Sequence, residues 1–156
     1  MPKLEIYIDG VTRSVIDKRT GISHTTQIKE VDRMYLIIQA GKYHWNFDWK
    51  TELQINRRKV FSLTLKENES IILGMISLEV FSDHVFVYLV ERNGEAENPY
   101  LGIGGNLFAF ACKHSFEKGL NGNVAFLPKT KLKNHFSVTL GAVELVQGRM
   151  GIRSEE

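Results

Sequence analysis

The sequence predicts an α+β fold of mixed α/β character, and three observations carry that expectation. Two runs rich in β-branched and aromatic residues, 71–81 (IILGMISLEVF) and 84–90 (HVFVYLV), are separated only by Ser82 and Asp83, the pattern of a hairpin. A glycine-rich turn at 101–107 (LGIGGNL) opens a segment, 106–118, whose apolar residues recur at helical spacing at 107, 110, 111 and at 108, 112, 116. After the stop at Gly119, residues 123–127 (NVAFL) again read as a strand, so strands flank a helix.

The remaining elements follow in chain order. Residues 4–8 alternate as a half-buried strand closed by Asp9-Gly10. A second hairpin is expected between 15–16 and 22–28, turning through 18–21. One convincing helix precedes residue 50, at about 31–39, stopped near Gly41. The segment 42–50 (KYHWNFDWK) is densely aromatic; it either floors a ligand pocket, where rings give rigid apolar surface with polar handles, or plugs an edge of the core. Pro128 ends the strand at 123–127, and 129–140 reads as a more polar helix closed by Gly141. Residues 142–146 and 149–152 form a last hairpin about Gln147-Gly148. With no repeat, low-complexity stretch or charged linker, the 156 residues are expected to form one domain.

Composition narrows the function classes. A hydrophobic content of 43% supports a real core, and a net charge of +2 argues against a dedicated nucleic-acid binder. No apolar run reaches the ~18 to 20 residues that cross a bilayer, and the N-terminus lacks a signal-peptide core, so a cytoplasmic protein is expected. The single cysteine, Cys112, lies on the apolar helix and reads as core packing rather than a nucleophile. The five histidines and one cysteine show no ligand-like spacing, so no metal is expected.

Most chemistry resides in the turn at 101–107. Small residues at 102, 104 and 105 let the backbone approach an anion, and the free N–H groups of the following helix point at it. A dinucleotide fingerprint would need a third glycine where Leu107 stands, and a P-loop would need Gly-Lys-Ser/Thr, which is absent. A diphosphate-containing cofactor is the leading reading, against a turn that merely joins strand to helix.

The order of hairpin, glycine turn, helix, strand, helix, Leu140-Gly141-Ala142 and closing hairpin resembles the GCN5-related N-acetyltransferase superfamily over residues 59–152. Gly102-Ile103-Gly104-Gly105-Asn106-Leu107 matches the glycine part of that family's pyrophosphate motif, and 136–141 matches its Leu-Gly-Phe ending except for Ala142. The resemblance implies a single domain with a mostly antiparallel, twisted sheet flanked by helices, in which 1–58 is the variable acceptor side and 59–152 the cofactor-binding core. It implies acetyl-CoA as acyl donor and a small amine or a protein amine as acceptor, with no membrane partner; a homodimer stays open. Its implied cofactor contacts are Leu89 and Val90 on the cofactor strand, Gly102, Ile103, Gly104, Gly105 and Asn106 at the turn, and Lys131 and Lys133 (with Lys129) on the following helix. For the base, Glu79 ranks before Glu91 and His84. The family's usual tyrosine acid falls on Ser137, and its motif-opening Arg or Gln falls on Pro99, so Tyr88 and Tyr100 are the substitute acids. Two alternatives accompany this reading. One is a non-catalytic coenzyme A- or partner-binding protein. The other is a toxin acetylating aminoacyl-tRNA, for which Arg57, Arg58 and Lys59 would have to form a contiguous basic surface.

Overall fold

In the computed structural model, residues 14–94, 98–126, 143–144 and 150–152 are described. The predicted strand at 4–8 and helix at 129–140 lie outside them. The described strands are β1 (Ser14–Asp17), β2 (Ser23–Glu30), β3 (Lys59–Leu65), β4 (Ile72–Val80), β5 (Val85–Arg92), β6 (Tyr100–Leu101), β7 (Val124–Phe126), β8 (Val143–Glu144) and β9 (Met150–Ile152). They form one sheet in the order β6-β1-β2-β3-β4-β5-β7-β9-β8. Every described pairing is antiparallel except β5 with β7, which the helix between them makes parallel.

Both predicted hairpins of the first ninety residues form, with Val15 facing His24 and Val80 facing Val85. The strand β3 is not among the elements expected from the sequence; its Ser62 and Thr64 interrupt an otherwise apolar run. Both are fully buried, so this strand has a core on each side. The closing hairpin is present as the β8–β9 pairing of Val143 with Gly151.

Helices cover both faces of the sheet. On one face α3 (Ile103–Glu117) packs Ile103, Leu107, Phe108, Ala111 and Cys112 against Phe61, Leu63, Ile76, Leu78, Val85 and Val87. It begins three residues before the predicted start, so the glycines are its first turn. Gly74 permits this packing: a β-carbon there would stand 2.8 Å from the Glu91 carbonyl oxygen and 3.0 Å from Ile103 Cγ2. On the other face lie α1, a short helix (Arg33–Tyr35) continuing as a π-turn (Leu36–Ala40), and α2 (Trp49–Gln54). Val31, Leu36, Ala40 and Trp49 pack there on Val60, Ile72 and Met75. The helix α2 was not anticipated. Asp48 caps it by accepting from the Thr51 N–H at 3.0 Å, with the Thr51 hydroxyl at 2.8 Å, and these bonds hold the Asp48 carboxyl below the usual range.

Candidate active site

The glycine turn is built from its flanks inward. β6 pairs with β1, Leu101 opposite Ile16, and Lys18 N–H donates to the buried Pro99 carbonyl at 3.1 Å. Arg92 donates to the Asn98 and Tyr100 carbonyls at 3.3 and 3.2 Å, and Asn98 Nδ2 donates to the Asn93 carbonyl at 2.8 Å. The chain then reaches Gly102 at φ 94°, a left-handed conformation that glycine adopts without the penalty of a β-carbon. Ile103 turns into the core, while β-carbons on Gly104 and Gly105 would meet open space. The first intrahelical bond of the turn runs from Asn106 N–H to the Gly102 carbonyl at 3.0 Å, which leaves the N–H groups of Ile103, Gly104 and Gly105 without a helical acceptor. These aligned donors carry the positive end of the helix dipole. The Asn106 side chain points the other way: it is buried, donates to the Ser14 and Gly102 carbonyls at 2.8 and 2.7 Å, and accepts from Thr26 Oγ1 at 3.0 Å. It pins the turn to β1 and β2.

A second cluster stands on the sheet face covered by α2. Ser77 pairs with Leu89 and Leu78 with Val87, so Tyr88 is the extra residue of a β-bulge on β5. Tyr88 OH donates to Glu79 Oε1 at 2.8 Å. Burial raises the phenol above its ordinary value, the Glu79 hydrogen bond and charge add to this, and Arg58 opposes it. The Arg58 guanidinium lies 3.5 Å from the Tyr88 ring centroid. Its Nη1 donates to both oxygens of Glu52, at 3.0 and 2.9 Å, and the buried Ser77 hydroxyl donates to Glu52 Oε2 at 2.5 Å. The sequence does not single out Glu52 as a site residue, and it offers Arg58 only as part of the basic triplet 57–59. The signal available was a carboxylate three residues after Trp49, a spacing that puts both on one face of a short helix.

Glu91 occupies a different environment. It is 6% exposed, and its carboxylate accepts from Asn46 N–H at 2.6 Å, Phe47 N–H at 3.1 Å and the Trp49 indole at 2.9 Å. The aromatic segment thus hangs on Glu91. His84 is paired with its neighbour Asp83 at 2.6 Å and stacks on Phe81 near the hairpin tip. Tyr100, the other substitute acid, sits edge-on to His24 with centroids 5.8 Å apart.

The basic triplet does not form one surface. Arg58 turns to the α2 face, whereas Arg57 and Lys59 line a cavity of about 220 Å³ with Leu78, His114 and Lys118 on the α3 face. Burial of Cys112 pushes its thiol up to about 12, which suits packing rather than nucleophilic attack. Among the described residues no group of three or more His, Cys, Asp or Glu side chains is placed to hold a metal, and no helix is long and apolar enough to cross a membrane. Lys129, Lys131, Lys133 and Ser137 lie outside the described residues.

Neither a protein-family model nor a curated protein matches this sequence. Solved structures do match its fold. The ribosomal-protein-S18-alanine N-acetyltransferase from Escherichia coli is 13% identical with a TM-score of 0.57, covering 82% of this chain and 93% of its own. A GNAT-family acetyltransferase from Staphylococcus aureus Mu50 is 15% identical with a TM-score of 0.55, covering 85% of this chain and 100% of its own. AtaTR, solved bound to acetyl-CoA, is 13% identical with a TM-score of 0.54, covering 81% and 92%. The mostly antiparallel sheet, bulged β5, glycine-opened α3 and these likenesses together establish that the chain has the GCN5-related N-acetyltransferase fold.

Proposed function

We propose that this chain is an acetyl-CoA-dependent N-acetyltransferase acting on a primary amine. One observation carries the reading: β5 holds a carboxylate-facing phenol at its bulge, and its last residue, Arg92, bonds the Asn98 and Tyr100 carbonyls that lead into a turn whose N–H groups are free for an anion. From Tyr88 to the strand end at Arg92 is about 13 Å at the usual rise per residue, a stretch along which an extended pantetheine arm fits. The pyrophosphate is assigned to the N–H groups of Ile103, Gly104 and Gly105, approached across Gly102, with Lys131 and Lys133 as further cationic contacts. Asn106 serves by holding the turn. The half-buried backbone around Leu89 and Val90 is assigned to the pantetheine and to the thioester carbonyl.

The chemistry asks for a base, an oxyanion donor and an acid. Glu79 takes a proton from the acceptor nitrogen, which attacks the carbonyl carbon. As the tetrahedral intermediate collapses the C–S bond breaks, Tyr88 gives its proton to the leaving sulfur, and Glu79 returns the proton it holds to the phenolate. The acceptor's other surplus proton leaves to solvent, so ammonium plus thioester gives amide, thiol and one proton. Glu79 is preferred to Glu91 as base because three donors already engage the Glu91 oxygens.

The test is thiol release from acetyl-CoA across a panel of polyamines, aminoglycosides and peptide α-amines. Glu79→Gln is expected to lower turnover on the order of 100-fold with acetyl-CoA affinity retained. Binding without consumption on every amine would instead support the non-catalytic reading, and an unchanged rate would remove Glu79 as base.

A further inference from the structure

We propose that Arg58, clamped by Glu52, is the positioning residue that orients the Tyr88 hydroxyl toward Glu79. The inference rests on the acetyltransferase reading and adds to it two residues from outside the glycine turn and the cofactor strand. A bulged residue has no partner across the strand ladder, so pairing does not fix how Tyr88 stands. Its ring plane must be set by packing instead. The guanidinium 3.5 Å from the ring centroid does this, because a planar cation on an aromatic face fixes both tilt and depth.

Arg58 is itself held. A long side chain left to solvent would lose rotamer freedom on stacking, but here Glu52, 5% exposed, takes its Nη1 on both oxygens. Glu52 is in turn fixed by the buried Ser77 hydroxyl on β4, two residues before Glu79. The chain Ser77–Glu52–Arg58–Tyr88–Glu79 therefore starts and ends on one strand and brackets the bulge. Glu52 and Arg58 cancel in charge, so Glu79 supplies the net negative charge that draws an ammonium. In addition, the cation opposes, as the smaller effect, the rise that burial and Glu79 impose on the phenol.

The experiment compares Arg58→Ala, Arg58→Lys and Glu52→Gln with Tyr88→Phe and Glu79→Gln in the full chain, each checked for native circular dichroism. Arg58→Ala is expected to lower kcat about ten-fold or more while KM for acetyl-CoA stays within about two-fold. Added guanidinium ion should restore part of that rate, and the basic limb of the pH–rate profile should move to higher pH, whereas Tyr88→Phe should remove that limb. If Arg58→Ala does not fold, Arg58→Lys, which keeps charge but not the planar stack, carries the test with a partial loss of kcat. Turnover that falls with Glu79→Gln but is unmoved by either Arg58 variant overturns the proposal alone. A wild-type chain that binds acetyl-CoA and acetylates no amine overturns the acetyltransferase reading and this proposal with it.

Discussion

Replacing Glu91 with glutamine separates an anchor from a base. The carboxylate receives Phe47 N–H and the Trp49 indole on Oε1 and Asn46 N–H on Oε2. An amide oxygen in the Oε1 place keeps two of these bonds but without charge assistance, at a loss of about 1 kcal/mol each. The amide nitrogen then faces the Asn46 N–H, donor against donor, where the oxygen accepts at 2.6 Å; an unmade buried bond costs about 1–3 kcal/mol. Turning the amide over sets two donors against it and is worse. The variant should lose about 4 kcal/mol, which for a urea slope near 2 kcal/mol/M lowers the midpoint by about 2 M. The assay is equilibrium urea unfolding followed by fluorescence, since Trp49 is buried beside the substitution. If Glu91 were instead the base, the variant would unfold near the wild-type midpoint and lose turnover by orders of magnitude. A midpoint shift under about 0.5 M would refute the anchoring argument.

Other outcomes follow from the same contacts. Asn106→Ala removes three side-chain bonds at the root of α3 and should cost about 3 kcal/mol by urea unfolding, with acetyl-CoA still bound, more weakly, by the folded fraction in titration calorimetry. Gly74→Ala forces a β-carbon to within 3.0 Å of Ile103 Cγ2 and nearer still to the Glu91 carbonyl, so about 1–3 kcal/mol of stability should be lost, read as a fall in thermal midpoint. His114 is held below its ordinary pKa first by burial and then by Lys118, so the unfolded chain takes up its proton first as pH falls below about 6.5. Wild-type stability should therefore decline from that pH downward, and His114→Phe should flatten this part of the profile; parallel urea curves at pH 7.5 and 5.5 measure it.

The core region was legible because its signals are local. The hairpin at Ser82-Asp83, the glycine stop at 119 and the glycine turn at 101–107 are each written in a few adjacent residues. The strand β3 escaped because Ser62 and Thr64 interrupt its apolar run, and only tertiary packing buries them. The site divides the same way. Gly102, Gly104 and Gly105 are visible as a motif, and Glu79 and Tyr88 only as separate candidates, because the bulge that brings them together leaves no local pattern. Glu52 and Arg58 join them only when α2 lies down on β4 and β5, a contact between segments 25 or more residues apart that no local pattern records. The aromatic run at 42–50 kept two readings open for want of one long-range fact, that its backbone hangs on Glu91.

The pyrophosphate assignment is tested by a calorimetric titration of the full chain with acetyl-CoA, alongside Gly104→Val. A β-carbon at Gly104 meets nothing in the protein, so the variant should fold as the wild type does and differ only where a ligand would lie. Saturable binding is expected for the wild type, weakened about ten-fold or more in the variant. No binding at millimolar acetyl-CoA, or equal binding by both proteins, would contradict the assignment of the glycine turn to the pyrophosphate.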